Sequence, residues 1–172
     1  MKLALIILAI VLTIIALVLI IGALLPRSHV ASRQIILHRS PEEIYQTVRD
    51  FSAAPTWRSD LERVEMIPTT DNHIQFREHG RHSVITYDLV EDQPGMRMVT
   101  RIADLNLGYS GTWTFAFTKE ATGTRVQITE AGEVSNILFR FMSRFVFGQS
   151  STIEKYLIAL GKKFGEDVSP QL

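Results

Sequence analysis

The stretch NILFRFMSRFVFGQSSTIEKYLIALGKKF, residues 136–164, decides the fold of this chain. At about 3.6 residues per turn, its apolar side chains fall on one broad face of a helix and most of its charged ones on the other. Asn136 suits the N-cap, and Gly165 ends the helix after two lysines. The pattern therefore predicts one long amphipathic helix that covers a sheet, with a kink at Gly148. The predicted apolar stripe is Leu138, Phe141, Met142, Phe145, Val146, Ile153, Tyr156, Leu160 and Phe164.

Seven segments before this helix have the composition or alternation of β-strands. The first is SRQIILH, residues 32–38, and SPEE after it opens a helix, because serine caps helices and proline is favoured at their first position. Short connections between the other six imply antiparallel neighbours. The order predicts an α+β fold in which a curved antiparallel sheet wraps around the terminal helix. The six are residues 63–67, 73–79, 83–90, 96–103, 110–118 and 124–132, with turns at Asp71-Asn72, Gly80, Pro94-Gly95, Gly108 and Gly123.

The first 25 residues form a separate apolar segment. Residues 3–25 carry no charge, and 17 of these 23 residues are leucine, isoleucine or valine. Such a helix spans roughly 34 Å, enough for about 30 Å of hydrocarbon, and its insertion is worth roughly −5 to −10 kcal/mol. A cleaved signal peptide would have a shorter apolar run and a small-x-small cleavage site, and Leu24-Leu25-Pro26-Arg27 offers none. We predict a single-pass anchor over 1–25, a tether over 26–31, a soluble domain over 32–165 and a tail over 166–172.

Charge and composition exclude several functions and leave the side of the membrane open. Lysine plus arginine equals aspartate plus glutamate, 18 each, so no basic field draws nucleic acid. The absence of cysteine removes disulfides, thiolate zinc sites and cysteine nucleophiles. Arg27, Arg33 and Arg39 follow the anchor and favour a cytoplasmic domain, but Lys2 flanks its other end.

Several short motifs, in their order, resemble a known superfamily. They are SPEEIY at residues 40–45, Asp50-Phe51, Trp57, Gly111-Thr112-Trp113, Gly123-Thr124-Arg125 and Ile128-Thr129-Glu130. Over residues 32–165 the chain resembles START-like proteins of the SRPBCC superfamily, which includes polyketide cyclase/dehydrases and lipid-transport proteins. The resemblance implies a helix-grip fold with a hydrophobic cavity between the sheet and the terminal helix, and a ligand in that cavity. It carries over no universal catalytic residue.

Strand parity selects the candidate pocket residues. Glu130 shares a strand face with Val126 and Ile128, and Glu78 shares one with Ile74 and Phe76, so both carboxylates lie on apolar faces. They are either pocket acids, with Glu130 the first candidate, or structural partners of an arginine such as Arg101 or Arg140; Arg144 is a further possible partner for Glu130. Of the two roles the structural one is favoured for both. An aromatic inner face, one tyrosine and the terminal helix complete the set of candidates: Trp113, Phe115, Phe117, Tyr87, Phe141 and Phe145.

No metal or cofactor site is predicted. Glu78, His79 and His82 flank a glycine turn, but they lack a fourth ligand for zinc. The chain has no G-x-G-x-x-G motif, P-loop or nucleophile elbow, which disfavours nucleotide cofactors and serine hydrolysis.

Three functions follow from these patterns. The first is a membrane-anchored START-like domain that binds a hydrophobic small molecule or lipid. The second is an enzyme of polyketide cyclase or dehydratase type that uses Glu78 or Glu130 as acid or base. The third is a membrane-tethered interaction module whose cavity is filled by its own side chains. A cavity of about 300 Å³ or more distinguishes the first two from the third.

Overall fold

The computed structural model of the protein describes residues 2–70, 73–81, 83–148 and 150–172, so the predicted turn at Asp71-Asn72 lies outside the described part. An apolar helix, α1 (Lys2–Leu24), precedes a seven-stranded antiparallel sheet whose strand order is β1-β7-β6-β5-β4-β3-β2. Two short helices follow β1: α2 (Pro41–Arg49) and a 3₁₀ helix, Phe51–Thr56. The strands are β1 (Ser28–Leu37), β2 (Leu61–Ile67), β3 (Ile74–Gly80), β4 (Val84–Gln93), β5 (Arg97–Ile102), β6 (Tyr109–Glu120) and β7 (Gly123–Val134).

The predicted α+β class and antiparallel sheet are confirmed. They could be predicted because the alternation of apolar residues and the turn residues act locally along the chain. One strand boundary differs. β1 begins at Ser28, and its first four residues pair with β7 in a register that starts at Ser28 opposite Glu133. These residues had been assigned to the tether, because SHVA carries little of the apolar signal that marks the rest of the strand. The chain therefore passes from α1 into the sheet through only Leu25, Pro26 and Arg27.

The terminal helix is interrupted, contrary to the prediction of one continuous helix. It consists of α3 (Ile137–Met142), a π-helical turn (Ser143–Phe147) and α4 (Ser151–Lys163). Gly148 has a φ of 77°, in the left-handed region, and this ends the first part of the helix. The predicted kink thus becomes a break.

Only the second part of the predicted apolar stripe lies in the core. Ile153, Tyr156, Leu157 and Leu160 of α4 are buried against the sheet. In the first part, Leu138, Phe145 and Val146 are 51–59% exposed. α3 instead lies at the end of α1, where the backbone of Ile137 contacts the buried Gly22. The periodicity of a helix shows which side is apolar, but it does not identify the partner of that side.

Candidate functional site

A cavity of about 500 Å³, called here the main cavity, lies between the inner face of the sheet and the C-terminal helices. Strands β4 to β7 supply most of its wall, α3 and α4 cover it, and His29 enters from β1. Both apolar and hydrogen-bonding side chains line it, and its sheet wall includes the polar residues Thr100, Ser110 and Glu130. The lining residues are His29, Ile85, Tyr87, Thr100, Ile102, Tyr109, Ser110, Gly111, Trp113, Glu130, Val134, Phe139, Ser143, Gly148, Ser151, Thr152 and Lys155.

A smaller space of about 80 Å³, the inner cavity, lies deeper in the domain. It shares Tyr87, Thr100, Trp113 and Thr152 with the main cavity, so the two spaces adjoin. The other lining residues are Val48, Phe51, Ala54, Arg58, Phe76, Glu78, Met98, Phe115 and Tyr156. At about 80 Å³ the inner cavity is too small for most ligands, and the main cavity is the candidate site.

Glu130 lies in the wall of the main cavity and is held by two aromatic side chains. The indole Nε1 of Trp113 donates a hydrogen bond to its Oε2 at 3.0 Å, and Nε2 of His29 lies 3.3 Å from its Oε1. Trp113 and Glu130 are direct partners across β6 and β7, which explains the contact. An ion pair with Arg140 was the structural alternative for this carboxylate, but the Arg140 guanidinium donates to the carbonyl oxygens of Leu25 and Ser135.

His29 reaches this carboxylate because a glycine lies opposite it. His29 pairs with Gly132 across β1 and β7, and a Cβ atom at Gly132 would lie 2.4 Å from Cε1 of the imidazole. Even an alanine there would push the ring from its position. The imidazole and the carboxylate together form a half-buried pair of groups that accept and donate protons, with 15% and 22% of their side-chain surfaces exposed.

Glu78 lies in the inner cavity and pairs with Arg58. The guanidinium donates to both carboxylate oxygens, at 2.6 and 3.3 Å, and both side chains are no more than 15% exposed. Burial raises the pKa of the Glu78 carboxyl, and the Arg58 charge opposes that rise. Burial alone would lower the pKa of Arg58, but the Glu78 charge raises it overall, so the guanidinium stays charged. Arg58 also lies 5.0 Å above the ring of Tyr156.

This pairing corrects the expectation of Arg101 or Arg140 as the partner of Glu78. Arg101 is 57% exposed and donates to Asp88, its cross-strand partner on the face of the sheet away from the cavities.

Of the zinc candidates, His82 lies outside the described residues, and Nε2 of His79 lies 3.4 Å from Oε2 of Glu65.

The tyrosines inside the domain are neutral hydrogen-bonding groups. Burial raises the pKa values of Tyr87 and Tyr156, with a further contribution from the nearby Glu78 charge. Tyr87 borders both cavities, as the strand parity predicted, while Tyr156 lies on α4 and lines the inner one. The hydroxyl of Tyr87 is therefore a donor that stays protonated throughout the physiological pH range.

The structure brings together five of the nine predicted pocket residues. Tyr87, Trp113, Glu130, Glu78 and Phe115 line one or both cavities. Phe117 is buried in the core against Tyr45. Arg101 lies on the opposite face, and Phe141 and Phe145 contact each other, with ring centroids 5.0 Å apart, in the interrupted part of the terminal helix that leaves the core. These last three do not line either cavity.

Sequence reasoning missed His29, Arg58 and Phe139. His29 had been assigned to the tether, and only a longer first strand opposite Gly132 would have indicated it. Arg58 follows the 3₁₀ helix, and no local pattern links it to Glu78, 20 residues away. Phe139 stacks on Tyr109, with ring centroids 5.7 Å apart, and in this way α3 closes one side of the main cavity.

Several solved structures of low sequence identity share the fold of this chain. The START superfamily protein from Mycobacterium smegmatis has a TM-score of 0.63 and 16% identity, over 78% of this chain and 96% of that one. The Zhui aromatase/cyclase from Streptomyces sp. R1128 has a TM-score of 0.62 and 10% identity, over 78% and 93%. The di-domain ARO/CYC StfQ from the steffimycin biosynthetic pathway has a TM-score of 0.61 and 13% identity, over 80% of this chain and 52% of StfQ, so the chain spans about half of that protein.

Sequence comparison completes the assignment. A comparison with curated proteins gave no significant match. Residues 28–152, which include both carboxylates and every strand, match the family described as polyketide cyclase / dehydrase and lipid transport. The match begins at Ser28, the residue at which β1 begins. With this match over most of the sequence, the chain belongs to the polyketide cyclase / dehydrase and lipid transport family, and its fold is START-like.

Proposed function

We propose that the protein is a membrane-anchored START-like domain that binds a hydrophobic small molecule or lipid in the main cavity. The observation that carries this proposal is the cavity itself, whose volume of about 500 Å³ lies within the range of small-molecule sites, about 300–1,000 Å³. An interaction module without a ligand would fill this space with its own side chains. The size of the cavity therefore favours ligand binding over that alternative.

The lining of the main cavity supports an amphiphilic ligand. Ile85, Ile102, Trp113, Val134 and Phe139 offer an apolar wall for a hydrocarbon or aromatic body. The same cavity is also lined by hydrogen-bonding groups of β1, β6, β7 and α4, namely His29, Ser110, Glu130, Ser151, Thr152 and Lys155. A ligand with one apolar body and a compact polar end satisfies both surfaces, because a buried polar group is costly unless it is hydrogen-bonded.

The position of the cavity supports loading from a bilayer. α1 has 23 residues, of which only Lys2 is charged, and it is long enough to cross a membrane. α3 lies against the end of α1 and places Phe139 in the cavity wall. The α3 wall of the cavity therefore lies next to the end of α1, and a hydrophobic ligand would enter from the membrane on this side.

Filling the main cavity is expected to abolish ligand binding. Ile102→Trp adds an indole to the β5 wall of the main cavity, whereas Val84→Trp adds the same group to an exposed position of β4 that borders neither cavity. The full chain in mild detergent is titrated with a fluorescent fatty acid. We expect saturable binding by the wild type and by Val84→Trp, and affinity at least about tenfold weaker for Ile102→Trp. Equal affinities in all three proteins, or no saturable binding by the wild type, would refute cavity binding.

A second function, an enzyme of the cyclase or dehydratase type, is favoured by one observation. The imidazole of His29 lies 3.3 Å from Glu130, whose other oxygen accepts from Trp113. A carboxylate fixed in this way orients an imidazole, which then removes or supplies a proton on a ligand in the cavity. Glu78 is the less suitable acid, because Arg58 occupies both of its oxygens.

Substitution of Glu130 separates a structural role from a chemical one. In Glu130→Gln the amide oxygen still accepts from Trp113, so we expect a loss of about 1 kcal/mol or less in unfolding free energy. Ligand affinity or turnover should fall by about tenfold or more, since the charge beside His29 is removed. Thermal unfolding and the fluorescent fatty-acid titration measure the two effects. A loss of 3–5 kcal/mol with affinity that follows stability would instead assign Glu130 to the scaffold.

Gly132→Ala is the matched variant, because it displaces His29 and leaves Glu130 unchanged. If the pair acts in proton transfer, Gly132→Ala should reduce turnover of an aromatic polyketide substrate as strongly as Glu130→Gln does, and the two effects should not add. If Glu130 only binds the ligand, Gly132→Ala should retain most of the affinity.

A further inference from the structure

A third cavity, of about 260 Å³, lies where α1 leaves the apolar segment and enters the sheet. Three of its lining residues are arginines, Arg27, Arg140 and Arg144, and none of its lining residues is an aspartate or glutamate. We call it the arginine cavity. Its remaining wall is formed by residues 25, 26 and 28–30, Val134 and Ser143. Such a surface attracts an anion, because guanidinium groups bind phosphate and carboxylate oxygens in pairs.

Arg140 forms no ion pair with a carboxylate among the described residues. Arg140 is only 8% exposed, and its Nη1 and Nη2 donate to the carbonyl oxygens of Leu25 and Ser135 at 3.0 and 3.3 Å. Its Nε is buried and has no hydrogen-bond partner among the described residues. Carbonyl dipoles do not neutralise a full charge, and a buried charge without a counterion is costly. An external anion in the arginine cavity would compensate the Arg140 charge.

The position of the arginine cavity identifies the source of the anion. Leu25, whose carbonyl accepts from Arg140, directly follows the 23 residues of α1. A helix of this length spans roughly 34 Å, so its end lies just outside about 30 Å of hydrocarbon, at the depth of lipid headgroups. Leu138 of α3 is apolar and exposed, and so are Phe145 and Val146 of the π-helical turn that follows α3, as expected for a surface in contact with acyl chains.

We propose that the arginine cavity binds the phosphate group of an anionic membrane phospholipid. The proposal rests on the membrane anchoring proposed above. The phosphate lies against Arg27, Arg140 and Arg144, and the acyl chains follow α1 and the apolar side chains of α3. His29, Val134 and Ser143 line both this cavity and the main cavity. The bound lipid therefore forms part of the wall that separates the membrane from the ligand.

A comparison of three ligands distinguishes binding of a lipid phosphate from binding of acyl chains alone and from binding of free phosphate. The full chain is purified in mild detergent and incubated with dioleoylphosphatidylglycerol, with dioleoylglycerol, which lacks the phosphate, or with inorganic phosphate. Native mass spectrometry then measures the bound fraction. We expect one phosphatidylglycerol per chain, at least tenfold less dioleoylglycerol, and little inorganic phosphate. Equal retention of both lipids would overturn the phosphate site, and displacement of phosphatidylglycerol by equimolar inorganic phosphate would overturn its assignment to a lipid.

Exposed arginines provide variants that do not endanger folding. Arg27→Gln and Arg144→Gln change exposed side chains, whereas Arg140→Gln would leave two carbonyl oxygens without their donor. We expect the double variant to retain phosphatidylglycerol at least tenfold less than the wild type. Arg101→Gln, at an exposed arginine on the far face of the sheet, should retain it fully. Equal retention by the double variant and the wild type would refute the site.

Failure of this site is distinguishable from failure of the proposed function. A chain that stays in the membrane fraction and binds the fatty-acid probe, yet shows no preference for phosphatidylglycerol, overturns the arginine cavity alone. A chain recovered without α1 in the soluble fraction overturns the anchoring, and with it the lipid assignment.

Discussion

Replacing Arg58 by leucine is expected to lower the free energy of unfolding by about 3–5 kcal/mol, because the substitution leaves the Glu78 carboxylate buried without its partner. The two side chains are joined by two hydrogen bonds and are 12% and 15% exposed. At about 2–4 °C per kcal/mol, the midpoint of thermal unfolding should fall by about 10 °C. Near-ultraviolet circular dichroism of the full chain in detergent follows the transition through Trp57 and Trp113.

Two variants test the cause of this loss. The double variant Arg58→Leu with Glu78→Leu removes both charges and should recover most of the stability, since an apolar pair of similar volume replaces a buried ion pair at little cost. Arg101→Leu breaks the exposed pair with Asp88 and should cost about 1 kcal/mol or less. If the double variant is as unstable as Arg58→Leu, then the lost contacts of Arg58 with Tyr156 and Asp60, and not the stranded charge, are the cause.

The sheet was predictable because its signals are local. Alternating apolar residues and the turns at Gly95, Gly108 and Gly123 define strands without knowledge of the tertiary structure, and all three glycines have positive φ. The interruption of the terminal helix was not predictable to the same degree. The apolar period continues through Gly148, and only packing decides that Ile153 enters the core while Phe145 remains 59% exposed.

The candidate site was predictable where strand parity acts, and it was missed where long-range contacts act. Parity placed Glu130, Tyr87 and Trp113 on the inner face, and all three line the main cavity. The partners of the carboxylates depend on which strands and loops meet, information that a single sequence lacks. His29 and Glu130 are 101 residues apart in the sequence. The partner of Glu78 was predicted wrongly for the same reason, because it is Arg58 and not Arg101 or Arg140.

Removal of α1 is expected to move the protein from the membrane fraction to the soluble fraction. The full chain should resist extraction with alkaline carbonate, because insertion of α1 into the bilayer is worth roughly −5 to −10 kcal/mol. A chain that starts at Pro26 keeps β1 complete from Ser28 and should be extracted. Leu12→Lys with Ile15→Lys is the matched variant of the full chain. Two charges at the helix centre cost roughly 5–7 kcal/mol of membrane-insertion free energy and leave the domain after α1 unchanged.

We infer from the packing at the end of α1 that this helix is retained. Gly22 in its last turn lies against the backbone of Ile137, and Leu25 accepts a hydrogen bond from the buried Arg140. Cleavage after the helix would remove these contacts and leave Arg140 with one fewer acceptor. Mass spectrometry of the mature protein should therefore find Met1 or Lys2 at its amino terminus. A soluble mature protein that begins near Ser28 or Ser32 would show that α1 is a signal sequence and that the domain folds without it.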